Sequence, residues 1–242
     1  MTDVKLDGKV ALITGAGRGI GLGVAEELAR KGMRIAGMDV RDDELRVALE
    51  KVEKDTGVKT LAIRADMRQE EDIVTAVKLT VEAFGQIHVL VNNAGIREVA
   101  PIWEMDTEMW DRIQSINLRG EFLCTREVLR QSMLAKDEGT IVFLSSVAGR
   151  RGSKNGSAYA ASKWGVLGLA ASVTLDLKDT AIRVTSITPG RTATPMAHES
   201  EVWDPDIGWL DPAAVAKAIV FCIQQDSDTI IPEFHVHHRA EI

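Results

Sequence analysis

Short apolar runs alternate with amphipathic helical stretches along nearly the whole chain, and this alternation most limits what the chain can fold into. "KVALIT" (9–14) is an almost continuous apolar run, the pattern of a strand buried on both faces. A helical pattern over 20–31 follows, with Leu22, Ala25, Leu28 and Ala29 on one stripe. "MRIAGMD" (33–39) predicts the next strand, and a charged helix runs from Asp42 to about Lys54. Strand "KTLAIRA" (59–65), a helix over 69–84 and strand "IHVLVNN" (87–93) continue the series. Then come a long helical stretch (106–135), "GTIVFLSS" (139–146), a helix over 157–178, "IRVTSITPG" (182–190), a helix over 212–224 and the apolar "TIIPEFHV". Seven strands joined by crossover-length helices imply one parallel sheet, doubly wound with helices on both faces. No linker, repeat or low-complexity segment divides residues 1–242, so a single α/β domain is expected. The stretch 191–211 shows no clear period and exceeds ordinary connections, which marks it as a lid or as disorder.

Composition excludes several classes of function. A net charge of −7 gives no electrostatic reason to bind nucleic acid or anionic lipid. No uninterrupted apolar run approaches the roughly 20 residues of a membrane helix, and the N-terminus lacks the basic start and cleavage site of a signal peptide. Only Cys124 and Cys222 are present, too few for a disulfide framework, so a reducing cytoplasm is the expected setting.

"TGAGRGIG" (14–21) sits where the first strand meets the first helix. Glycine lets the backbone turn tightly beside a pyrophosphate, and the helix N-terminus offers free N–H groups at its positive dipole end. The spacing Gly15-x-x-x-Gly19-x-Gly21 differs from the G-x-G-x-x-G fingerprint, and no G-K-[ST] tail follows, which argues against a triphosphate P-loop. Asp39 ends the second strand; a carboxylate there accepts both hydrogens of an adenosine ribose diol and repels a 2′-phosphate, favouring NAD over NADP. Arg18 and Arg41 act in the opposite sense, since either can reach such a phosphate. Asp66, ending the third strand, suits an adenine amino group or the cap of the next turn equally.

Tyr159 is the single tyrosine of the chain, and Lys163 lies at i+4, on the same helix face. A free phenol titrates near about pH 10, too high for a base at neutral pH. A neighbouring ammonium favours the phenolate, at about 1.4 kcal/mol of differential interaction per unit of depression. Ser146 stands thirteen residues before Tyr159 at a strand end, with Ser145 as its neighbour and competitor.

"TGAGRGIG", "NNAG" (92–95), Asn117 in "SINLRG", Ser146 in "SSVAG", "YAASK" (159–163) and "TPG" (188–190) occur in an order and spacing that resemble the short-chain dehydrogenase/reductase family. The resemblance runs from residue 9 to about 196, and the chain is also similar to the family's 3-oxoacyl-carrier-protein reductase and polyol or alcohol dehydrogenase branches. It implies a Rossmann fold and hydride transfer between a nicotinamide and a secondary alcohol or ketone. In that scheme Tyr159 is the acid or base, Ser146 bonds the substrate oxygen, Lys163 holds the nicotinamide ribose, and Asn117 anchors a water leading from Lys163 to solvent. The cofactor set it implies is Gly15, Arg18, Gly19, Ile20, Gly21, Asp39, Asp66, Met67, Asn93, Ala94, Gly95, Tyr159, Lys163, Pro189, Gly190, Thr192 and Thr194. NAD is the expected cofactor, with NADPH-dependent 3-oxoacyl reduction as the alternative enzyme and a non-catalytic nucleotide sensor as the alternative class. An extended-domain epimerase, which shares Tyr-x-x-x-Lys, has little room in 242 residues.

Arg97, Arg151 and Arg191 fall in three loops that, by the resemblance, border the substrate pocket; they are either solvated loop arginines or a guanidinium fork suited to a carboxylate, phosphate or sulfonate. Trp203 and Trp209 either cover an apolar substrate body or pack the 191–211 segment onto the domain. His235, His237 and His238 alternate on a terminal strand without zinc-site spacing, so no metal is expected. Helices 106–135 and 157–178 are, by the resemblance, a two-fold helical interface, implying a homodimer or homotetramer. The family's V-D-G-G ending is absent, which bears on packing through that end.

Overall fold

A computed structural model describes residues 5–199, 204, 206–226 and 228–241. Trp203 lies outside the described residues. β1 (Val10–Thr14), β2 (Arg34–Asp39), β3 (Thr60–Arg64), β4 (Val89–Asn92), β5 (Gly139–Leu144), β6 (Ile182–Pro189) and β7 (Glu233–Val236) form one sheet in the order β3-β2-β1-β4-β5-β6-β7. Each neighbouring pair is parallel, as the alternation of runs predicts.

The strand patterns are continuous because alternate residues feed two separate cores. On β1, Ala11 and Ile13 enter the layer under α1 (Gly19–Arg30) and α9 (Pro212–Ile223), while Leu12 enters the opposite layer. On β5, Val142 and Leu144 join the first layer, and Ile141 and Phe143 the second. That second layer is closed by α3 (Glu70–Phe84), α5 (Gly120–Val128) and α7 (Ser157–Asp176). A charged helix, α2 (Asp42–Thr56), buries only Leu45, Leu49 and Val52, and stops at Gly57 in the left-handed region (φ 75°).

Two expectations change in detail. The helical stretch predicted over 106–135 is three α segments, α4 (Thr107–Gln114), α5 and α6 (Leu134–Lys136), joined by π turns at Ser115–Arg119 and Leu129–Met133. Each π turn inserts an extra residue and rotates the faces before and after it. The terminal strand begins only at Glu233, because Pro232 offers the sheet a carbonyl, accepting from Ser186 N at 3.0 Å, but no N–H.

The 191–211 segment is anchored at both ends. Leu210 N donates to Arg191 O at 2.7 Å and Ala193 N to Leu210 O at 2.8 Å. Between them a short α8 (Pro195–His198) starts at Thr194, whose Oγ1 accepts from Ala197 N at 3.3 Å. Among the described residues no helix is long and apolar enough to cross a membrane.

Candidate active site

The sheet order reverses between β1 and β4, so the loops after these strands diverge and leave a crevice at the carboxyl edge. The glycine turn floors it. Gly15 and Gly19 take φ of 66° and 60°, which L side chains rarely adopt. A Cβ on Gly15 would lie 2.9 Å from Asn93 Nδ2, and one on Gly21 would strike the Gly15 carbonyl. Thr14 Oγ1 accepts from Asn93 N and Ala94 N, each at 2.9 Å, and Asn93 Nδ2 donates to Thr14 O at 2.8 Å. Asn93 therefore pins the two loops that the reversal separates. The first N–H groups of α1 have no side-chain cap. A backbone cradle with no room for side chains at Gly15 and Gly21, and an open helix N-terminus, fits a pyrophosphate.

Asp39 is 7% exposed; its Oδ2 accepts from Gly17 N at 3.2 Å and its Oδ1 from Arg41 N at 3.0 Å. The carboxylate is thus fixed at the end of β2, on the wall of the crevice. Arg18 is held by Glu199 through two bonds of 2.7 and 3.2 Å, while the Arg41 guanidinium lies 3.8 Å from Asp39. Asp66 caps its own turn, Oδ1 accepting from Arg68 N at 2.9 Å, and the Arg68 guanidinium holds its carboxyl below the usual range. Asn92, adjacent to Asn93, is fully buried and donates to Thr125 Oγ1 at 2.9 Å, bracing the sheet.

Ser146, two residues past β5, accepts from Ala148 N at 3.2 Å and faces the crevice. Ser145 is turned to bracing, its Oγ donating to Lys163 O at 2.9 Å. Tyr159 lies in the first turn of α7, partly buried, with the Arg97 guanidinium 5.9 Å from its ring centroid. Lys163, 3% exposed, donates from Nζ to Leu144 O at 2.6 Å and lies 3.3 Å from Glu121 Oε1. The Asn117 side chain is fully engaged: Oδ1 accepts from Ile96 N at 2.8 Å, and Nδ2 donates to Ile96 O at 2.9 Å and Ser162 Oγ at 3.1 Å. It anchors the loop after β4 to α7.

One cleft of about 940 Å³ brings nearly all of these together. Its lining includes Gly15, Arg18, Gly19, Ile20, Asp39, Asp66, Met67, Asn93, Ala94 and Gly95 at the end floored by the glycine turn. Ser146, Tyr159, Lys163, Pro189, Gly190, Thr192, Thr194, Arg97, Arg151 and Arg191 line it further on. Gly21 and Asn117 lie beneath the lining and shape it from behind. Apolar Ile96, Val147, Met196, Ile207 and Trp209 complete the wall. Trp209 Nε1 donates to Asp204 O at 2.7 Å, tying the segment to itself.

The three pocket arginines are not equivalent. Arg191 Nε lies 3.2 Å from Glu241 Oε1 and donates to Gly208 O at 3.3 Å, so that side chain closes the C-terminal segment onto the P-G loop. Arg97 and Arg151 form no ion pair among the described residues. Sequence reasoning did not single out Glu241, fifty residues from its partner, nor the Glu98–Arg112 pair at 2.7 Å on the cleft wall. It also passed over Glu121, for which a carboxylate within the apolar "EFLC" was the available signal.

The terminal histidines are occupied locally: His235 Nε2 is 3.2 Å from Glu233, and His237 Nδ1 is 3.2 Å from Glu241. Among the described residues no group of three or more His, Cys, Asp or Glu side chains could hold a metal.

The family model described as short chain dehydrogenase matches residues 9–205. Trans-4-hydroxycyclohexanecarboxylate dehydrogenase of Sinomonas cyclohexanicum is 41% identical over 193 residues, covering 78% of this chain and 74% of that protein. Cyclohexanol dehydrogenase of Acinetobacter sp. (strain SE19) is 35% identical over 232 residues, covering 93% and 92%. The solved structure of an actinorhodin polyketide ketoreductase variant with NADPH superposes with a TM-score of 0.88 at 30% identity, covering 98% of each chain. A parallel sheet reversed at β1/β4, a glycine cradle beneath the crevice and a matched length of this extent agree: the chain belongs to the short chain dehydrogenase family, oxidoreductases of Rossmann fold that take a nicotinamide nucleotide.

Proposed function

We propose that this protein interconverts a cyclic secondary alcohol bearing a carboxylate and the corresponding ketone, with NAD as its nucleotide. The observation that carries the reading is the meeting of Ser146, Tyr159 and Lys163 with Arg97 and Arg151 in one cleft whose other end is the glycine turn. The nucleotide supplies the site that gives or takes hydride; the chain supplies orientation and the proton. Ser146 Oγ bonds the substrate oxygen and fixes it for Tyr159. In oxidation the phenolate of Tyr159 takes the hydroxyl proton as the carbon gives up hydride; in reduction the phenol returns it to the oxygen. Lys163 lies on the same helix face and supplies the positive charge that favours phenolate. Asp39 would hold the adenosine ribose, and the cradle of Gly15, Gly19 and Gly21 would hold the pyrophosphate.

Similarity to a dehydrogenase named for a hydroxycyclohexanecarboxylate supports both the ring and the acid group. Similarity to cyclohexanol dehydrogenase supports the ring alone. The polyketide ketoreductase likeness favours a second reading, NADPH-dependent reduction of a 3-oxoacyl group, which the placement of Asp39 opposes. Two free, buried thiols, Cys124 and Cys222, suit a reducing cytoplasm.

The same reading extends to assembly. Trp110, Phe122, Trp164 and Leu175 are 40%, 42%, 49% and 70% exposed on α4, α5 and α7, an apolar surface suited to the matching helices of a second copy.

Tyr159→Phe is expected to lower kcat by about 10²- to 10⁴-fold with NAD(H) binding intact; turnover near wild type removes Tyr159 from the role. Asp39→Asn keeps the acceptor for Gly17 N and deletes the charge. Its kcat/KM ratio for NAD over NADP should fall by about tenfold or more, roughly 1.4 kcal/mol, and an unchanged ratio refutes Asp39 as the discriminator. With Arg97→Ala/Arg151→Ala, preference for 4-hydroxycyclohexanecarboxylate over cyclohexanol should drop by about tenfold, the loss of a charge-assisted contact; a preserved preference excludes anion recognition by this pair. Sedimentation velocity should show a dimer or tetramer that Trp164→Glu dissociates, and a monomeric wild type rules out the helical interface.

A further inference from the structure

Glu121 occupies the first turn of α5, one helical turn beyond Asn117, and its side chain is completely buried. Its Oε1 lies 3.3 Å from Lys163 Nζ, while Oε2 is buried without a hydrogen-bond partner. Lys163 is itself buried, and its other contact is the Leu144 carbonyl at the end of β5, 2.6 Å away. The ammonium has three N–H groups. Two are taken up on the inner side by β5 and α5, and the third remains for the cleft that Lys163 lines.

Core packing alone gives no reason for this carboxyl group. A buried pair loses hydration on both members, and an apolar side chain of the same volume is often as stable. The neighbours on the helix, Leu123, Cys124 and Val128, are apolar and fill the same core. What a carboxyl group can do here, and a leucine cannot, is act on the charge of Lys163.

We propose that Glu121 is a positioning residue for proton transfer at Tyr159: it holds Lys163 Nζ from behind and sets how much of the lysine's positive charge reaches the phenol. When Glu121 is neutral, its carbonyl oxygen accepts from Nζ and the full ammonium charge acts on Tyr159. When Glu121 is ionised, the pair carries no net charge and the pull on the phenol weakens. Burial pushes the Glu121 carboxyl up to about 8, with Lys163 acting in the opposite sense.

The surrounding charges leave this pair to act on its own. Cys124, one turn along α5, is a thiol pushed up to about 12 by burial. Glu127 and Arg126, further along α5, pair with each other, and Arg126 also takes Glu70 from α3. From the loop after β4, Arg97 faces the Tyr159 ring, and Asn117 and Ser162 present neutral groups between α7 and the preceding π turn. Among the described residues, Lys163 is the charged side chain in contact with Glu121.

This role for Glu121 rests on reading Tyr159 and Lys163 as the acid–base pair, and a measurement without turnover separates the two. Tyr159 is the chain's only tyrosine. An alkaline absorbance titration of the protein, with Tyr159→Phe as the blank, therefore reports that phenolate alone. Glu121→Gln and Glu121→Met both remove the ionisable group, Gln keeping an acceptor for Nζ and Met keeping only volume. In either folded variant the phenolate midpoint should move to lower pH by about half a unit or more, a threefold gain in phenolate at fixed pH. The acid limb of the kcat/KM profile for alcohol oxidation should move in the same direction.

A midpoint unmoved or moved upward, in whichever variant folds, overturns the assignment. A purely structural Glu121 would lower the melting temperature and leave the titration in place. Retained turnover in Tyr159→Phe would overturn the catalytic reading and leave the titration result standing.

Discussion

Parallel pairing of all seven strands is the constraint from which the rest follows. It turns every strand's carboxyl end to one edge, and it requires a helical crossover after nearly every strand, so both sheet faces are covered and both are apolar. The order then runs outward in two directions from β1 and β4. Only at that junction do neighbouring loops part, and the glycine turn, Asn93, Ser146 and the P-G loop all border the gap. The cleft is a consequence of topology before any functional side chain is considered.

Within that edge, a buried cation is the feature with the highest electrostatic stakes. Lys163 reaches from α7 toward the end of β5 and is matched by a main-chain carbonyl and a carboxyl group rather than by solvent. Ser145 reinforces the same junction by bonding the Lys163 carbonyl. The result is a charge held rigidly on the face of α7 that also carries Tyr159. Such an arrangement holds the side chain in place without any need for it to move.

The glycine-turn end of the cleft was legible in the sequence because it is local. Gly15, Gly19 and Gly21 lie within one turn, Asp39 closes the next strand, and the chemistry of each depends on backbone geometry that short spacing already implies. Tyr159 and Lys163 were legible for the same reason, being one helical turn apart. The substrate half was legible only as a set of candidates. Arg97, Arg151 and Arg191 read alike as loop arginines and all line the cleft, yet the structure commits Arg191 to Glu241 and Gly208 and gives the other two no ion pair among the described residues. The long helical stretch expected over 106–135 is present from Thr107 to Lys136, but its two π turns were not legible, since a π turn differs from an α turn by one inserted residue and leaves apolar periodicity almost unchanged.

The sequence by itself determined the alternating architecture, the glycine turn at the head of α1 and the placement of Tyr159 and Lys163 on one helix face, all of which are set by periodicity and by contacts within a turn or a strand–helix junction. Tertiary structure alone decided which charges meet across the chain. Glu121 lies 42 positions from Lys163 and Glu241 lies 50 from Arg191. No spacing rule links such pairs; they are joined because the π turn at Ser115–Arg119, which leads into α5, packs against α7, and because the C-terminal segment folds onto the end of β6. Burial then makes each pairing consequential, since a charge withdrawn from water answers to whichever group the fold has placed beside it.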